Sequence, residues 1–136
     1  GVLGNDNPRA STLGEVKVKL RHSFYSYQAK YRDPEGAELK IPAQLPGVLT
    51  KKIQALAVRA FQVLECAGMA RVDFFVSAQD EIFINEINTI PGFTNISMYP
   101  RLWQASGISY PALIDRLIEL ALEKNQAERR LKTTYN

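Results

Sequence analysis

The sequence predicts an α+β domain with a largely antiparallel sheet covered by helices. Apolar residues alternate with polar ones over 70–76 and again over 82–88, which indicates two neighbouring strands. Apolar residues recur at helical spacing over 53–64 and 113–121, which indicates two amphipathic helices. The order along the chain is strands, loop, helix, hairpin and helices, and this order is typical of the α+β class.

Composition limits the classes of protein that fit. The chain has 136 residues, 46% of them hydrophobic, and no run of about 18 apolar residues, so we expect one domain and no membrane span. The single Cys66 fits a reducing cytoplasm, and with only His22 beside it a Cys/His zinc site is nearly excluded. The net charge of +3 is spread among apolar and acidic neighbours, so we expect no nucleic-acid binding; a binder of polyphosphate also needs positive charge.

The first third of the chain predicts short strands and a long loop. Residues 1–4 suggest a strand entered from an earlier part of a longer protein, and 5–14 are rich in turn residues. Short strands are expected over 15–20 and 24–27, and a brief one at Leu39 and Ile41. Residues 27–47 are otherwise irregular, with a turn at 33–36, and a loop of this length is often a functional lid. Lys30 and Tyr31 stand at its start, where Lys30 is either a surface lysine or a cation that folds over a phosphate.

Three helices are predicted after this loop. Thr50 is expected to cap the first, Gly68 to end it, and Cys66 falls within its pattern. A short helix over 99–105 stops at Gly107, and Ser109 caps a helix over 110–124. The expected buried positions are Ile53, Leu56, Ala57, Ala60, Phe61 and Leu64 in the first helix and Leu113, Leu117, Leu120 and Ala121 in the last. Residues 1–124 then form the domain and 125–136 a charged tail that we expect to fray.

The hairpin between the first two helices carries the candidate chemistry. With a connection over 77–80, either Val76 faces Glu81, or a wider closure puts Val76 opposite Phe83, Asp73 opposite Glu86 and Arg71 opposite Asn88. Because side chains alternate along a strand, residues 71, 73 and 75 should share one face of their strand, and 82, 84, 86 and 88 one face of theirs.

Two interpretations of this charged face are open. Two carboxylates with a carboxamide suit a hard cation such as Mg²⁺, which takes oxygen ligands together with phosphates and water. Charged residues on an amphipathic hairpin can also be an ordinary solvated surface. Apolar bulk on both faces, at Phe74, Phe75, Ile82, Phe83, Ile84 and Ile87, predicts a sheet covered on both sides. Charges on a covered sheet need partners or a metal, which favours the first interpretation.

Five segments carry a family resemblance. FYSYQAKY, ARVDFF, NEINTIPGFT, SMYP and LWQASGISYPALIDRLIELA resemble the C-terminal part of D-alanine–D-alanine ligases, which are ATP-grasp enzymes of peptidoglycan synthesis. The resemblance covers essentially the whole chain. It implies the C-terminal lobe of the ATP-grasp fold, ATP and two Mg²⁺ or Mn²⁺ ions, D-alanine as substrate, and a cytoplasmic enzyme that phosphorylates one D-alanine and couples it to a second.

The resemblance also implies residue roles. The position of Asp73 binds one metal ion, that of Glu86 bridges two, and that of Asn88 binds the other. Arg71 and the backbone amide of Gly92 match the groups that stabilise the acyl phosphate and the tetrahedral species. Ser97 and the amide of Met98 match the pair that holds the second D-alanine's carboxylate, although Ser97 alone would be an ordinary loop or cap serine. Lys30 and Tyr31 match a mobile loop, the lysine reaching the phosphates and the tyrosine the substrate.

The N-terminal and central domains of such ligases have no counterpart in these residues. We therefore expect the full-length protein to be the ligase and this chain alone to have no turnover. Two alternatives stay open: a ligase with D-lactate or D-serine as acceptor, and a fragment that binds magnesium-nucleotide without chemistry. Tyr31 favours an amine over a hydroxy-acid acceptor, because related depsipeptide ligases lack that tyrosine. A homodimer of the full-length enzyme is also left open.

Overall fold

The computed structural model describes residues 1–18 and 37–131. The predicted strand over 24–27, the turn at 33–36, and the residues His22, Lys30 and Tyr31 lie outside these ranges, as does the end of the tail from residue 132. Among the described helices, none is both long and apolar enough to cross a membrane.

The described strands form two antiparallel sheets, which agrees with the predicted fold class. The main sheet has the order β2-β1-β5-β6, with β1 at Val2–Gly4, β2 at Arg9–Ala10, β5 at Gly68–Val76 and β6 at Ile82–Asn88. The smaller sheet pairs β3 at Glu15–Val18 with β4 at Ala37–Lys40. Strand β2 lies in the stretch predicted as a turn-rich loop. It is too short for an alternating pattern to reveal, and it is held by pairing with β1, where Val2 faces Ala10.

Helix α1 begins earlier than the sequence predicted. It spans Gly47–Val63 with Pro46 as its N-cap residue, so Thr50 lies inside the first turn, its N–H donating to the Pro46 carbonyl at 2.9 Å, and the predicted Thr50 cap is wrong. The early start brings Leu49 into the buried stripe, four residues before Ile53. Leu64 is 59% exposed, so it does not belong to the core as predicted, and Cys66 lies just after the turn that follows the helix rather than within the helix.

Helices α2 and α3 follow the hairpin. α2 spans Met98–Ala105, and α3 spans Tyr110–Arg129 with Ser109 as its N-cap, whose Oγ accepts from the Ala112 N–H as predicted. α3 continues past the predicted end at residue 124, and Ala121 is exposed rather than buried. Ion pairs along the exposed side run from Arg116 to Glu119 and Glu123 and from Lys124 to Glu128. Such pairs favour helix over coil, although each contributes only a few tenths of a kcal/mol.

The main sheet lies between two hydrophobic clusters. One cluster joins a sheet face to α1 and contains Val2, Ala57, Phe61 and Ala70, with Cys66, Val72, Phe74 and Ile87 packed against it. The other joins the opposite face to α2 and α3 and contains Leu3, Tyr99, Trp103, Leu113 and Leu120, with Met69, Phe93, Ile108 and Leu117 packed against it. Coverage of the second face stops before the far end of the hairpin, where Phe75 is 63% and Phe83 54% exposed. The expected cover on both sides is therefore wrong for that part of the described residues.

Tyr99 connects α2 to the first strand and yields a stability prediction. Its side chain is fully buried, its hydroxyl donates to the Val2 carbonyl at 2.8 Å, and burial raises its pKa well above the usual value. Tyr99→Phe leaves that buried carbonyl without this donor, so we expect a loss of about 1–3 kcal/mol of unfolding free energy. Urea denaturation followed by circular dichroism measures the change.

Tyr110→Phe is the matched control for this prediction. The Tyr110 hydroxyl donates to the Phe93 carbonyl at 2.6 Å, but Tyr110 is only half-buried, so water can replace the lost donor. We expect the smaller loss there. Equal losses in the two variants would show that burial does not set the cost at Tyr99.

Candidate active site

The hairpin closes through a turn at residues 77–81. The Ser77 N–H donates to the Glu81 carbonyl at 2.9 Å, and the Ser77 hydroxyl accepts from the N–H groups of Gln79 and Glu81. Asp80 adopts a left-handed backbone with φ of 61°, a conformation that Asp tolerates better than most residues. Pairing then begins with Val76 opposite Ile82. Both predicted closures, with Val76 opposite Glu81 or opposite Phe83, are therefore wrong.

A β-bulge corrects the register before the charged residues. Phe74 faces Ile84, but the next residue of β5, Asp73, faces Glu86, so Asn85 is an extra residue in β6. Beyond the bulge, Asp73 opposite Glu86 and Arg71 opposite Asn88 are the partners that the sequence predicted for the wider closure.

The bulge also changes which residues share a face. Paired residues point to the same side of a sheet, so Ile84 shares the face of Phe74, which packs towards α1, rather than the face of Glu86. The predicted common face of residues 82, 84, 86 and 88 is therefore wrong for its first two members. Glu86 and Asn88 instead share their face with Phe83, which pairs with Phe75.

Arg71 lies between two carboxylates on this face. Its Nε donates to Asp73 Oδ1 and its Nη2 to Asp73 Oδ2, each at 2.8 Å, and Nη2 also reaches Glu86 Oε1 at 3.4 Å. A fork of this kind is the strong, directional form of an ion pair. The side chains are 26%, 34% and 52% exposed for Arg71, Asp73 and Glu86, so the group is open to solvent rather than buried. One guanidinium between two carboxylates leaves a net negative charge that can attract a cation.

The oxygen donors on this face fit a hard divalent cation. Asp73 and Glu86 offer carboxylates, and Asn88 offers an amide oxygen that accepts one hydrogen bond, from the Ile90 N–H at 3.0 Å, and keeps a second lone pair. Within the described ranges, no group of three or more His, Cys, Asp or Glu residues could hold a metal by itself. Two carboxylates and an amide are the partial ligand set typical of Mg²⁺ sites completed by phosphate oxygens and water.

The loop after β6 brings Gly92 against Ser97. A Cβ atom at Gly92 would lie 3.1 Å from Ser97 Oγ, so a side chain there would press on the serine. Ser97 Oγ accepts from the Thr94 N–H at 3.1 Å and lies 2.8 Å from Thr94 Oγ1. Phe93 anchors the loop, since its ring contacts those of Tyr99 and Tyr110. Ser97 directly precedes Met98, the first residue of α2.

The predicted site residues that the structure describes lie in two groups. Arg71, Asp73 and Glu86 are in direct contact, with Asn88 paired opposite Arg71 in the strands. Gly92, Ser97 and Met98 form the second group, at the start of α2.

Sequence reasoning missed the contact between Thr94 and Ser97. A hydroxyl residue three positions before a serine at a helix start was a usable signal for it. It also missed the bulge at Asn85, which interrupts the apolar alternation where two polar residues, Asn85 and Glu86, stand side by side.

Known proteins are similar in sequence to nearly the whole chain. A family model described as "D-ala D-ala ligase C-terminus" matches residues 1–119. The chain is 61% identical over 133 residues to D-alanine--D-alanine ligase A of Salmonella typhimurium and 59% identical over 133 residues to that of Escherichia coli K12. Each match covers 98% of this chain but 36% of the relative, so the chain spans about a third of the length of these curated relatives.

Solved structures share its fold. The D-alanine-D-alanine ligase from Coxiella burnetii matches 95% of this chain and 32% of that chain, with a TM-score of 0.78 and 44% identity. VanG D-Ala:D-Ser ligase from Enterococcus faecalis matches 88% of this chain and 34% of that chain, with a TM-score of 0.75 and 36% identity. A Bacillus anthracis D-alanine--D-alanine ligase complexed with ATP matches 93% of this chain and 40% of that chain, with a TM-score of 0.72 and 27% identity.

Proposed function

Because the chain belongs to the family of D-alanine–D-alanine ligase C-terminal domains, we propose that the full-length protein joins two D-alanines, using ATP, for peptidoglycan synthesis in the cytoplasm. The observation that carries this proposal is the group formed by Arg71, Asp73 and Glu86 on a face of the hairpin that the described residues leave partly exposed. A cation, two carboxylates and an open face suit one wall of a site for phosphates and metal ions, with the other wall supplied by the rest of the protein.

Three side chains of the hairpin would hold the metal ions. Asp73 would bind one Mg²⁺ or Mn²⁺, Glu86 would be shared by two, and Asn88 would bind the second. When bound, such ions supply positive charge beside the β- and γ-phosphates, where an approaching carboxylate would otherwise be repelled. The Asp73 and Glu86 side chains are 34% and 52% exposed, so their carboxylates can exchange water for these ligands.

Arg71 would stabilise negative charge on the reacting groups. In the first step, the carboxylate of one D-alanine attacks the γ-phosphorus of ATP, which releases ADP and leaves an acyl phosphate. In the second, the neutral amine of another D-alanine attacks the acyl carbon, the bond from that carbon to the phosphate oxygen breaks, and the nitrogen loses one proton as the amide forms. The fork to Asp73 fixes the guanidinium, so its charge is oriented before the reaction begins. The Gly92 N–H is the second donor in this proposal, and the missing Cβ lets substrate approach it closely.

The start of α2 would bind the acceptor. Ser97 and the Met98 N–H lie at the positive end of the helix dipole, which favours an anion such as the second D-alanine's carboxylate. Within the described residues, the Met98 N–H donates to no other group. Lys30 and Tyr31, outside those residues, are proposed to close over the phosphates and the substrate.

A coupled ADP-release assay tests the proposal. We expect the full-length protein to release ADP only when D-alanine and Mg²⁺ are both present, with one D-alanyl-D-alanine formed for each ADP. The 136-residue chain alone should release none, since one wall of an ATP-grasp site does not enclose the nucleotide. ADP release by the full-length protein without dipeptide would contradict the function, and robust turnover by the short chain would contradict the two-wall site.

The likeness to VanG D-Ala:D-Ser ligase makes a different acceptor the second candidate. In the same assay, D-alanine is supplied together with D-serine or D-lactate. The three possible products differ in mass, so a mass measurement distinguishes them. Tyr31 favours the amine acceptors, so we expect little ester. Nucleotide binding without any ligation product would instead support a non-catalytic magnesium-nucleotide-binding protein.

A further inference from the structure

We propose that Thr94 is a positioning residue for the acceptor: its hydroxyl turns the Ser97 O–H towards the carboxylate of the second amino acid. The inference rests on the proposed function and adds to it a residue without a previous role. The observations behind it are two contacts of one hydroxyl, from Ser97 Oγ to Thr94 Oγ1 at 2.8 Å and to the Thr94 N–H at 3.1 Å.

The backbone explains why Ser97 is available for this role. Ser97 is the N-cap residue of α2, with φ of −69° and ψ of 148°, and serine in that position usually accepts from an N–H of the first turn. Here its side chain makes no such bond. The third helical residue is Pro100, which has no N–H to offer. The serine hydroxyl is therefore held on the loop side, by Thr94, rather than by the helix.

Hydrogen-bond counting gives Thr94 its role. A serine hydroxyl has one proton to donate and two lone pairs, and one lone pair already accepts from the Thr94 N–H. A carboxylate accepts only, so Ser97 can bind it only by donating its proton. The contact between the two hydroxyls must then run from Thr94 O–H to Ser97 Oγ. In this arrangement all the hydrogen-bonding capacity of Ser97 is used, and its proton points to the acceptor.

Gly92 completes the arrangement around the serine. The place of its absent Cβ is 3.1 Å from Ser97 Oγ, so a side chain at position 92 would press on the hydroxyl. Glycine leaves this space free, and the serine oxygen is held by its two contacts to Thr94. Without the Thr94 hydroxyl, the Thr94 N–H still holds Ser97 Oγ in place, but the direction of the Ser97 proton is no longer fixed.

The test uses the full-length protein and the variants Thr94→Val and Thr94→Ser. Thr94→Val keeps the shape of the side chain and removes the hydroxyl, so we expect the KM of the acceptor D-alanine to rise about tenfold, the usual scale for a weakened hydrogen bond to a charged group. The KM for ATP and the melting temperature should not change. Thr94→Ser restores the hydroxyl and should restore the acceptor KM. Thr50→Val on α1 is the matched threonine control and should leave both KM values unchanged.

A double-mutant cycle with Ser97→Ala separates positioning from general support of the loop. If Thr94 acts through Ser97, adding Thr94→Val to Ser97→Ala has no further effect on the acceptor KM. Additive losses, or an unchanged acceptor KM in Thr94→Val, would overturn the inference while the ligase activity of the wild type stands. A wild type that makes no dipeptide would overturn the proposed function, and the inference with it.

Discussion

Glu86→Gln is expected to lower kcat of the full-length protein by about 10²–10³-fold, the range seen when one preorganised electrostatic group is removed from an active site. Glutamine has nearly the shape of glutamate, so the variant removes charge while keeping the side chain's volume. Glu86 is half-exposed, lies opposite Asp73 and is reached by Arg71 Nη2. Its neutral replacement leaves no buried unpaired charge, so the loss should fall on the chemistry rather than on folding.

Glu81→Gln is the control, because Glu81 is an exposed glutamate of the same hairpin with only its backbone in the turn. We expect wild-type kcat and an unchanged melting temperature there, and an unchanged melting temperature in Glu86→Gln as well. Rates measured over a range of Mg²⁺ concentrations add a second readout, since loss of a metal ligand raises the concentration needed for half-maximal rate. Wild-type kcat in Glu86→Gln at every Mg²⁺ concentration would contradict the proposal that Glu86 binds the metal ions.

The charged face was predictable because strand parity limits which residues can meet. Asp73 opposite Glu86 and Arg71 opposite Asn88 follow from one of the two closures considered. The closure itself was not predictable. The wider closure paired Val76 one residue too far along β6, and it also lacked the extra residue Asn85, so the two errors of register cancel beyond the bulge. A pattern of apolar and polar residues does not show where such an extra residue is inserted.

Burial of that face was predicted wrongly for a different reason. Apolar residues at Phe75 and Phe83 indicate that something covers them, but not that the cover comes from the residues that the structure describes. The family itself was predictable from the five segments, and the match over residues 1–119 confirms it.

Helix ends were decided by packing and not by caps alone. Thr50 is a good capping residue by type, but a helix starting there would have lost Leu49, which is 6% exposed and extends the stripe of Ile53, Ala57 and Phe61 by one turn. Tertiary burial outweighs a cap that contributes about 1 kcal/mol.

Phe61→Ala is expected to lower the unfolding free energy by about 3–5 kcal/mol, the usual cost of removing a buried phenylalanine from a core. Phe61 is fully buried at the centre of the cluster between α1 and the sheet. Val72, Phe74 and Ile87 pack against the same cluster, and they alternate in the strands with Asp73 and Glu86 on the opposite face. The ring therefore supports the backbone that sets the site residues opposite each other.

Val63→Ala on the same helix is the matched control, because Val63 is 71% exposed and its truncation leaves no cavity. Urea denaturation of the two variants should give a large loss for Phe61→Ala and a change within about 0.5 kcal/mol for Val63→Ala. Losses of similar size would mean that α1 is not packed on the hairpin as described. If the large loss is found, kcat of the folded Phe61→Ala protein should also fall, since a cavity beneath Val72 and Ile87 loosens the spacing of Asp73 and Glu86, whereas Val63→Ala should keep the wild-type rate.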